Sequence, residues 1–339
     1  MKQDSETGAA AVSFLIILFF LSAVAAGAGF FISSVIKMEN RYRQSSSRES
    51  EIGLILEKIL EDLYTDQTPE VNSPDDPVWA WNDTAENGYS ISIIPLSDRL
   101  NPNFVRKNVF EKTSLHDLFL PGRTADDLQQ FREENGLSLS ETIYETFFDE
   151  KILSSYFSAY GWANINLIDE FAARQLAQSL TGSSYTGESF RNQIQTLLIT
   201  QQLVDRNTLR ETLAGSYDDF FPVINAEPLM NVHFMEPFLL KELIAYPDYN
   251  ISSPNVRYQE ILSLREKGSI TQETLANILG IDKTNRLFYY IGCITWFWEI
   301  KIENETTVSS TIVCRFPQEG IDASGEIRYQ IVEQRYNKK

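Results

Sequence analysis

Cysteine, histidine and basic residues are all scarce in this chain of 339 residues. Its two cysteines and two histidines do not stand at the spacing of zinc sites that use four such ligands. Lysine and arginine number 29 against 47 aspartates and glutamates, and the net charge of −18 disfavours binding to nucleic-acid phosphates. The motifs of nucleotide-binding loops, serine hydrolases and zinc proteases are missing too. We therefore expect a folded acidic protein that is not an enzyme and binds no nucleic acid.

One long run without charge lies near the N-terminus, at residues 9–36. It predicts a transmembrane helix, because a helix of this length exceeds the hydrocarbon core of a bilayer, which is about 30 Å thick; a buried core helix is the alternative. The polar segment 1–8 is typical of a prepilin-type leader that is cut between Gly8 and Ala9, and cleavage by a signal peptidase within the run is the alternative. Basic residues directly after the run favour a cytoplasmic location for the downstream chain, but that chain has the character of an exported domain.

The remaining chain alternates between helical and strand-like patterns. Apolar residues recur at three- and four-residue steps between Ile52 and Leu63, which extends the N-terminal helix. Short strands are predicted at 78–81 and 88–95, and the pattern then turns helical. Three further strands are predicted at the end of the chain, at 287–302, 308–316 and 325–336. The resulting segments are a helical extension at 37–64, the first part of a sheet domain at 65–102, a helical domain at 103–282 and closing strands at 283–339.

The strands at the two ends of this body must pair in one sheet, which makes the helical segment an insertion. The expected fold class is therefore α+β. It combines an N-terminal transmembrane helix, an antiparallel sheet and a large all-helical domain inserted between the strands of that sheet.

Three short elements repeat an asparagine followed two residues later by a second asparagine or a histidine. Each precedes a helical segment. Because asparagine side chains accept hydrogen bonds from free backbone N–H groups at helix starts, we predict that these residues are N-caps. A plain preference of asparagine for turns is the alternative. The residues are Asn101 and Asn103, Asn164 and Asn166, and Asn231 and His233.

Cys293 and Cys314 lie on two neighbouring predicted strands. If the intervening turn centres just after Glu303, the two cysteines face each other at a Cα separation of about 4.5–5.5 Å, which a disulfide can bridge. A disulfide is therefore predicted, with two buried free thiols as the alternative. No cofactor is expected. Calcium is the one alternative, and Asp218 and Asp219 are its candidate ligands.

Several of these features, in this order, resemble the type II secretion system protein K family, the largest minor pseudopilins. Ser13 stands five residues after Gly8, where most pilin-like subunits carry glutamate and protein K subunits typically do not. Residues 98–103 resemble the family element G-R-L-N-L-N, and residues 231–235 resemble N-x-N-T-A/L, which opens a helix-hairpin-helix-like unit. The strands from 288 to 315 are similar to the closing pattern Y-F … V-V-x-R. An acidic loop that is linked to calcium in many members is shortened or missing here.

The resemblance implies a non-enzymatic structural subunit at the tip of a pseudopilus, which supports protein export across the outer membrane. It implies a single span in the bacterial inner membrane, a globular domain in the periplasm and a mature chain that begins at an N-methylated Ala9. The implied partners are the minor pseudopilins I and J, and secreted proteins are further candidates. A membrane-anchored module that binds another envelope protein is the alternative.

Overall fold

The computed structural model describes residues 48–66, 68, 71–82, 84–138, 141–200, 203–205, 208–209, 211, 224–268, 270–315 and 329–338. The predicted leader and span lie outside these residues, and so do Gly8, Ala9, Ser13, Asp218 and Asp219. The chain divides into two compact units, residues 1–58 and residues 59–339. Within the described ranges, every helix is too short or too polar to cross a bilayer.

The first described element is a helix, α1, over residues 48–64. The apolar periodicity predicts a helix here, and the positions that create it are buried: Ile52, Ile55, Ile59 and Leu63. Trp81 donates a hydrogen bond from Nε1 to the carboxylate of Asp62 on this helix at 2.6 Å.

The strands of the described residues form one large sheet and two short pairs. They are β1 (Ala85–Glu86), β2 (Tyr89–Pro95), β3 (Ala163–Asn164), β4 (Ile224–Asn225), β5 (Met230–Asn231), β6 (Ile291–Gly292), β7 (Phe297–Glu303), β8 (Thr307–Arg315) and β9 (Tyr329–Lys338). The large sheet is antiparallel throughout, in the order β1-β2-β7-β8-β9. The pairs β3·β4 and β5·β6 are parallel.

The strands from the two ends of the body pair with each other. Ser90 of β2 lies opposite Glu303 of β7, and Pro95 lies opposite Trp298. Alternate residues of β2 are buried, so this strand presents one face to the core. The predicted antiparallel sheet is therefore confirmed, and residues 96–296 are inserted between two of its neighbouring strands.

Nine α-helices with complete bounds lie in the described residues of this insert. They are α2 (Lys107–Glu111), α3 (Ala125–Asn135), α4 (Glu150–Tyr156), α5 (Glu170–Thr181), α6 (Ser184–Thr200), α7 (Pro237–Ala245), α8 (Pro254–Arg265), α9 (Gln272–Leu279) and α10 (Leu287–Tyr290). Thr124 and Asp127 form a capping box at the start of α3, and Thr271 caps α9. Both threonines precede helical patterns in the sequence, which predicts these two helix starts, and the structure confirms them.

Three predictions about segments are wrong. Residues Pro77–Trp81 form a 3-10 helix instead of a strand, and proline at its start favours that geometry. The predicted strand 287–302 is divided into the helical turn α10, the short strand β6 and the sheet strand β7. The insert is not wholly helical, because the pairs β3·β4 and β5·β6 lie within it.

The insert repeats one plan three times. The first unit spans 100–158, the second 163–225 and the third 230–292. Each unit opens with a residue that pairs in parallel with the segment that closes the same unit. These pairs are Leu100 with Phe157, Ala163 with Ile224, and Met230 with Ile291. The first and third units share one large hydrophobic core, whereas the second unit has a core of its own.

Candidate functional site

Each unit opens on the same turn of backbone. In the first unit, Asn101 Oδ1 accepts a hydrogen bond from the backbone N–H of Asn103 at 2.9 Å, and the Asn101 carbonyl accepts two more from Phe104 and Val105. The side-chain bonds of Asn164 and Asn231 to the residues two positions later measure 2.8 and 2.9 Å. Their carbonyls also accept from the residues three and four positions later. We call these elements the asparagine turns.

The helices begin after the asparagine turns, so the prediction that these asparagines are N-caps is wrong. The residues that precede α2, α5 and α7 are Arg106, Asp169 and Glu236. The asparagine side chain closes an Asx turn on its own backbone instead, which is the alternative considered from the sequence.

The second polar residue of each asparagine turn forms hydrogen bonds with the backbone of a segment far downstream in the same unit. Asn103 donates from Nδ2 to the carbonyl of Ser138 at 2.8 Å, and its Oδ1 accepts from the N–H of Ser138 at 2.9 Å. Asn166 makes the same two bonds to Val204, both at 2.8 Å. The held residues lie 35 and 38 positions downstream. We call this two-bond arrangement the clasp.

His233 takes the clasp position in the third unit and makes a weaker version of it. Its Nε2 lies 2.9 Å from the N–H nitrogen of Ile270 and 3.1 Å from the Ile270 carbonyl oxygen. One ring nitrogen is either a donor or an acceptor, so it serves one of these groups at a time. Burial lowers the pKa of His233, although the bond to the Ile270 carbonyl raises it. The neutral ring, which accepts from Ile270 N–H, is therefore favoured.

An arginine binds the carbonyl groups of each asparagine turn. Arg132 is 2% exposed and donates from Nη1 to the carbonyls of Asn103 and Val105 at 3.1 and 2.9 Å. Burial lowers the pKa of Arg132, and Asp169, 3.9 Å away, counters this effect. In the third unit, Arg265 donates from Nη1 to the carbonyl of Met235 at 2.8 Å.

The second unit receives its arginine from the first. Arg106, just before α2, donates from Nη2 to the carbonyls of Asn166 and Ile168 at 2.9 and 3.0 Å. These two carbonyls occupy the same positions in their turn as the two that Arg132 binds. Sequence reasoning missed all three arginines. Two of them have a signal in the sequence, because an Arg-Glu pair stands close before a glycine at the end of α3 and at the end of α8. The end of α6 has no such pair.

The third asparagine turn also connects the insert to the sheet domain. Asn231 donates from Nδ2 to the carbonyl of Asn72 at 2.8 Å and to Thr295 Oγ1 at 2.9 Å. The N–H of Thr295 in turn donates to Asn72 Oδ1 at 2.9 Å. Since Thr295 stands two residues before β7, these bonds fix the point at which the chain leaves the insert.

The predicted disulfide is contradicted, because Cys293 and Cys314 are both free and buried. Phe297 of β7, rather than Cys293, lies opposite Cys314, and Cys293 precedes the strand. The two cysteines belong to different hydrophobic clusters. Burial raises the pKa of Cys293 to about 12 and that of Cys314 to about 11, so both remain protonated thiols at neutral pH.

The six turn residues therefore act on the backbone of the protein itself. In the described part of the chain, no three His, Cys, Asp or Glu side chains converge as a metal site would require. His116, the other histidine, has a side chain that is 61% exposed and contacts Asp117 at 3.2 Å. The repeated turns, clasps and arginines can hold three units in fixed register, which is a structural role.

Comparison with known proteins gives a distant likeness to a solved structure. No family model matches the sequence, and a search of characterised proteins finds no match. Among solved structures, the chain is similar to a chain of the crystal structure of the GspK-GspI-GspJ complex from the enterotoxigenic Escherichia coli type 2 secretion system. The match covers 88% of this chain and 100% of that chain, with 12% identity and a TM-score of 0.35. This is a distant structural relation.

Proposed function

We propose that this chain is a non-enzymatic structural subunit at the tip of a type II secretion pseudopilus, with the minor pseudopilins I and J as its partners. The observation that carries the proposal is the insertion of three repeated units between β2 and β7 of an antiparallel sheet that follows a long helix. The sequence motifs that resemble protein K lie at the opening of the first unit, at the opening of the third unit and on the closing strands.

The proposed anchor is the uncharged run 9–36, released from its leader after Gly8, with the globular part in the periplasm. In a filament, the glutamate of one subunit neutralises the N-terminal amine of its neighbour within the membrane, where an uncompensated carboxylate is costly. A subunit at the tip has no neighbour above it whose N-terminal amine needs this glutamate. Ser13 at this position fits that place, and the inserted units would block growth of the filament above it.

The first experiment is N-terminal mass spectrometry of the mature protein from its native membrane. The proposal expects a chain that begins at N-methylated Ala9. A start after Ala25 or Ala28 would mean a released exported protein and would contradict the proposal. An intact Met1 would favour the membrane-anchored binding module instead.

A second experiment removes the insert without breaking the sheet. The ends of the insert are adjacent, because the N–H of Trp296 donates to Ser97 Oγ at 2.7 Å. A short turn joining these two residues therefore replaces segment 98–295 and leaves β2 and β7 paired. The deletion should abolish export and co-purification with two small pilin-like subunits, whereas Ser13→Glu in the full chain should change little. Normal export by a folded deletion variant would refute the proposed role of the insert.

A further inference from the structure

A second polar site is lined by residues of all three units and lies beside the second asparagine turn. It is a cavity of about 620 Å³, a size that suits a small organic ligand or the end of a peptide. Its wall includes the start of α2, the 3-10 helix Pro247–Tyr249 and the start of α10. We call it the arginine–tyrosine pocket, after the polar side chains that line it: Arg106, Asn108, Tyr246, Tyr249, Arg286 and Tyr290.

Two guanidinium groups line this pocket and neither is neutralised by a carboxylate of the described residues. Arg106 is held in place by the two carbonyls of the second asparagine turn, and its Nε–H is buried without a partner in the described part of the chain. For Arg286, no carboxylate within the described ranges lies at ion-pair distance. Burial raises the pKa of Tyr290 to about 12, and the charges of Arg106 and Arg286 oppose this effect.

The pocket is positively charged although the protein carries a net charge of −18. Asp248 is the only acidic residue among the described lining residues, and it stands at the rim. The ammonium of Lys112 binds its carboxylate at 2.7 Å, and the hydroxyl of Tyr246 also bonds to it. Asp248 pairs with Lys112 and also lies in the field of Arg286, and Asp169 acts on Arg106, so three basic side chains stand against two carboxylates and net positive charge is left for an anion. Planar guanidinium groups match a carboxylate in shape and hydrogen-bond geometry.

The pocket also offers an acceptor that lacks a donor. Asn108 Oδ1 is buried and accepts no hydrogen bond from the described residues. A ligand that pairs with the two arginines and also donates to Asn108 Oδ1 therefore carries a carboxylate and an N–H group close to that carboxylate. The remaining wall includes Val109 and Leu167, which suits an apolar side chain between the two. A carboxylate, a neighbouring N–H group and an apolar side chain occur together in the last residue of a peptide chain.

We propose that the arginine–tyrosine pocket binds the C-terminal residue of a peptide, with Arg106 and Arg286 on its α-carboxylate and Asn108 Oδ1 on its amide N–H. The mode is capture of a chain terminus by fixed donors. This inference concerns a site that the pseudopilus role does not use, so either can fail without the other.

Isothermal titration calorimetry of the full-length chain at constant ionic strength tests the proposal with matched ligands. A short peptide that ends in leucine should bind, and N-acetyl-leucine should bind no more tightly than the peptide. N-acetyl-leucine amide lacks only the charge and should bind about tenfold to a hundredfold more weakly, the cost of losing a charge-assisted hydrogen bond. Tighter binding of N-acetyl-leucine than of the peptide would identify a free acyl amino acid as the ligand and would overturn the peptide assignment.

The matched variants are Arg286→Gln and Lys283→Gln, which remove one positive charge from the same segment. Lys283 is exposed and outside the pocket lining. Arg286→Gln should weaken binding about tenfold or more, whereas Lys283→Gln should leave it within about twofold. Equal effects of the two variants, equal binding of inorganic phosphate, or no heat with any ligand would overturn the proposal. The ligand series on the unmodified chain decides the question even if a variant fails to fold.

Discussion

The change His233→Asn should remove a pH-dependent part of the stability of the third unit. The first two clasps use asparagine, which offers a donor and an acceptor, whereas His233 Nε2 is a single atom between the N–H and the carbonyl of Ile270. Asparagine at this position can make both bonds without changing its charge. The variant therefore converts the third clasp into the form found in the other two units.

The direction of the pKa shift of His233 decides in which pH range the protein loses stability. Burial, the largest effect, lowers the pKa of His233 in the folded protein below its unfolded value of about 6.5. The unfolded chain then binds more protons than the folded chain at acid pH. Stability is therefore fully present above the unfolded pKa and falls as the pH drops below it, until the folded pKa is reached. The slope cannot exceed about 1.4 kcal/mol per pH unit for one proton, so the loss by about pH 5.5 is at most about 1.4 kcal/mol.

Urea unfolding at about pH 7.5 and at about pH 5.5, followed by tryptophan fluorescence, measures this difference. At the higher pH the variant gains a hydrogen bond worth about 1 kcal/mol and loses ring packing of similar value, so its stability should change little. Between the two pH values the variant should lose less stability than the unmodified chain, by at most about 1.4 kcal/mol for one proton. The matched control is His116→Asn, the same change at the exposed histidine, which should leave the pH dependence unaltered. Equal pH dependence of the unmodified chain and the His233 variant would refute the reasoning.

Three further predictions concern a buried arginine, two glycines and the two thiols. Arg132→Gln should lower the free energy of unfolding by about 3 kcal/mol, because buried carbonyl groups lose their hydrogen-bond donor. The control Arg123→Gln on the surface should lower it by less than about 1 kcal/mol, and urea unfolding measures both variants. Gly292→Ala should destabilise the protein because the added Cβ would lie 2.5 Å from a proline side chain, whereas Gly53→Ala, with open space in a helix, should stabilise it by about 0.5–1 kcal/mol. Alkylation in denaturant without a reducing agent should modify both cysteines, and mass spectrometry that finds an unmodified pair would contradict the free thiols.

Local signals in the sequence correctly indicated local structure. The alternation of residues 89–93 predicted β2, and the same residues alternate between buried and exposed positions. Thr124 before a helical pattern predicted the start of α3, and the structure adds its capping box with Asp127, which is made entirely within one turn. In both cases the residues that determine the structure are close neighbours in the chain.

The failed predictions depend on contacts between residues far apart. The clasps could not be found because each asparagine acts on backbone more than 30 positions away, which leaves no periodicity to detect. The disulfide failed on register: Asn304 Oδ1 accepts from the N–H groups of Thr306 and Thr307, and this turn places Phe297 opposite Cys314. An error of a few residues in the position of a turn changes every cross-strand partner.

The arginine that the second unit takes from the first gives the array a direction of assembly. Without the first unit, the carbonyls of Asn166 and Ile168 would lose their donor, at a cost of about 1–3 kcal/mol for each buried group. Loss of the third unit would leave this bond intact. Because a chain is synthesised from its N-terminus, Arg106 is already present when the turn that requires it emerges from the ribosome. The second unit therefore has its donor available as soon as it is synthesised, whereas the first unit completes its core only when the third unit follows.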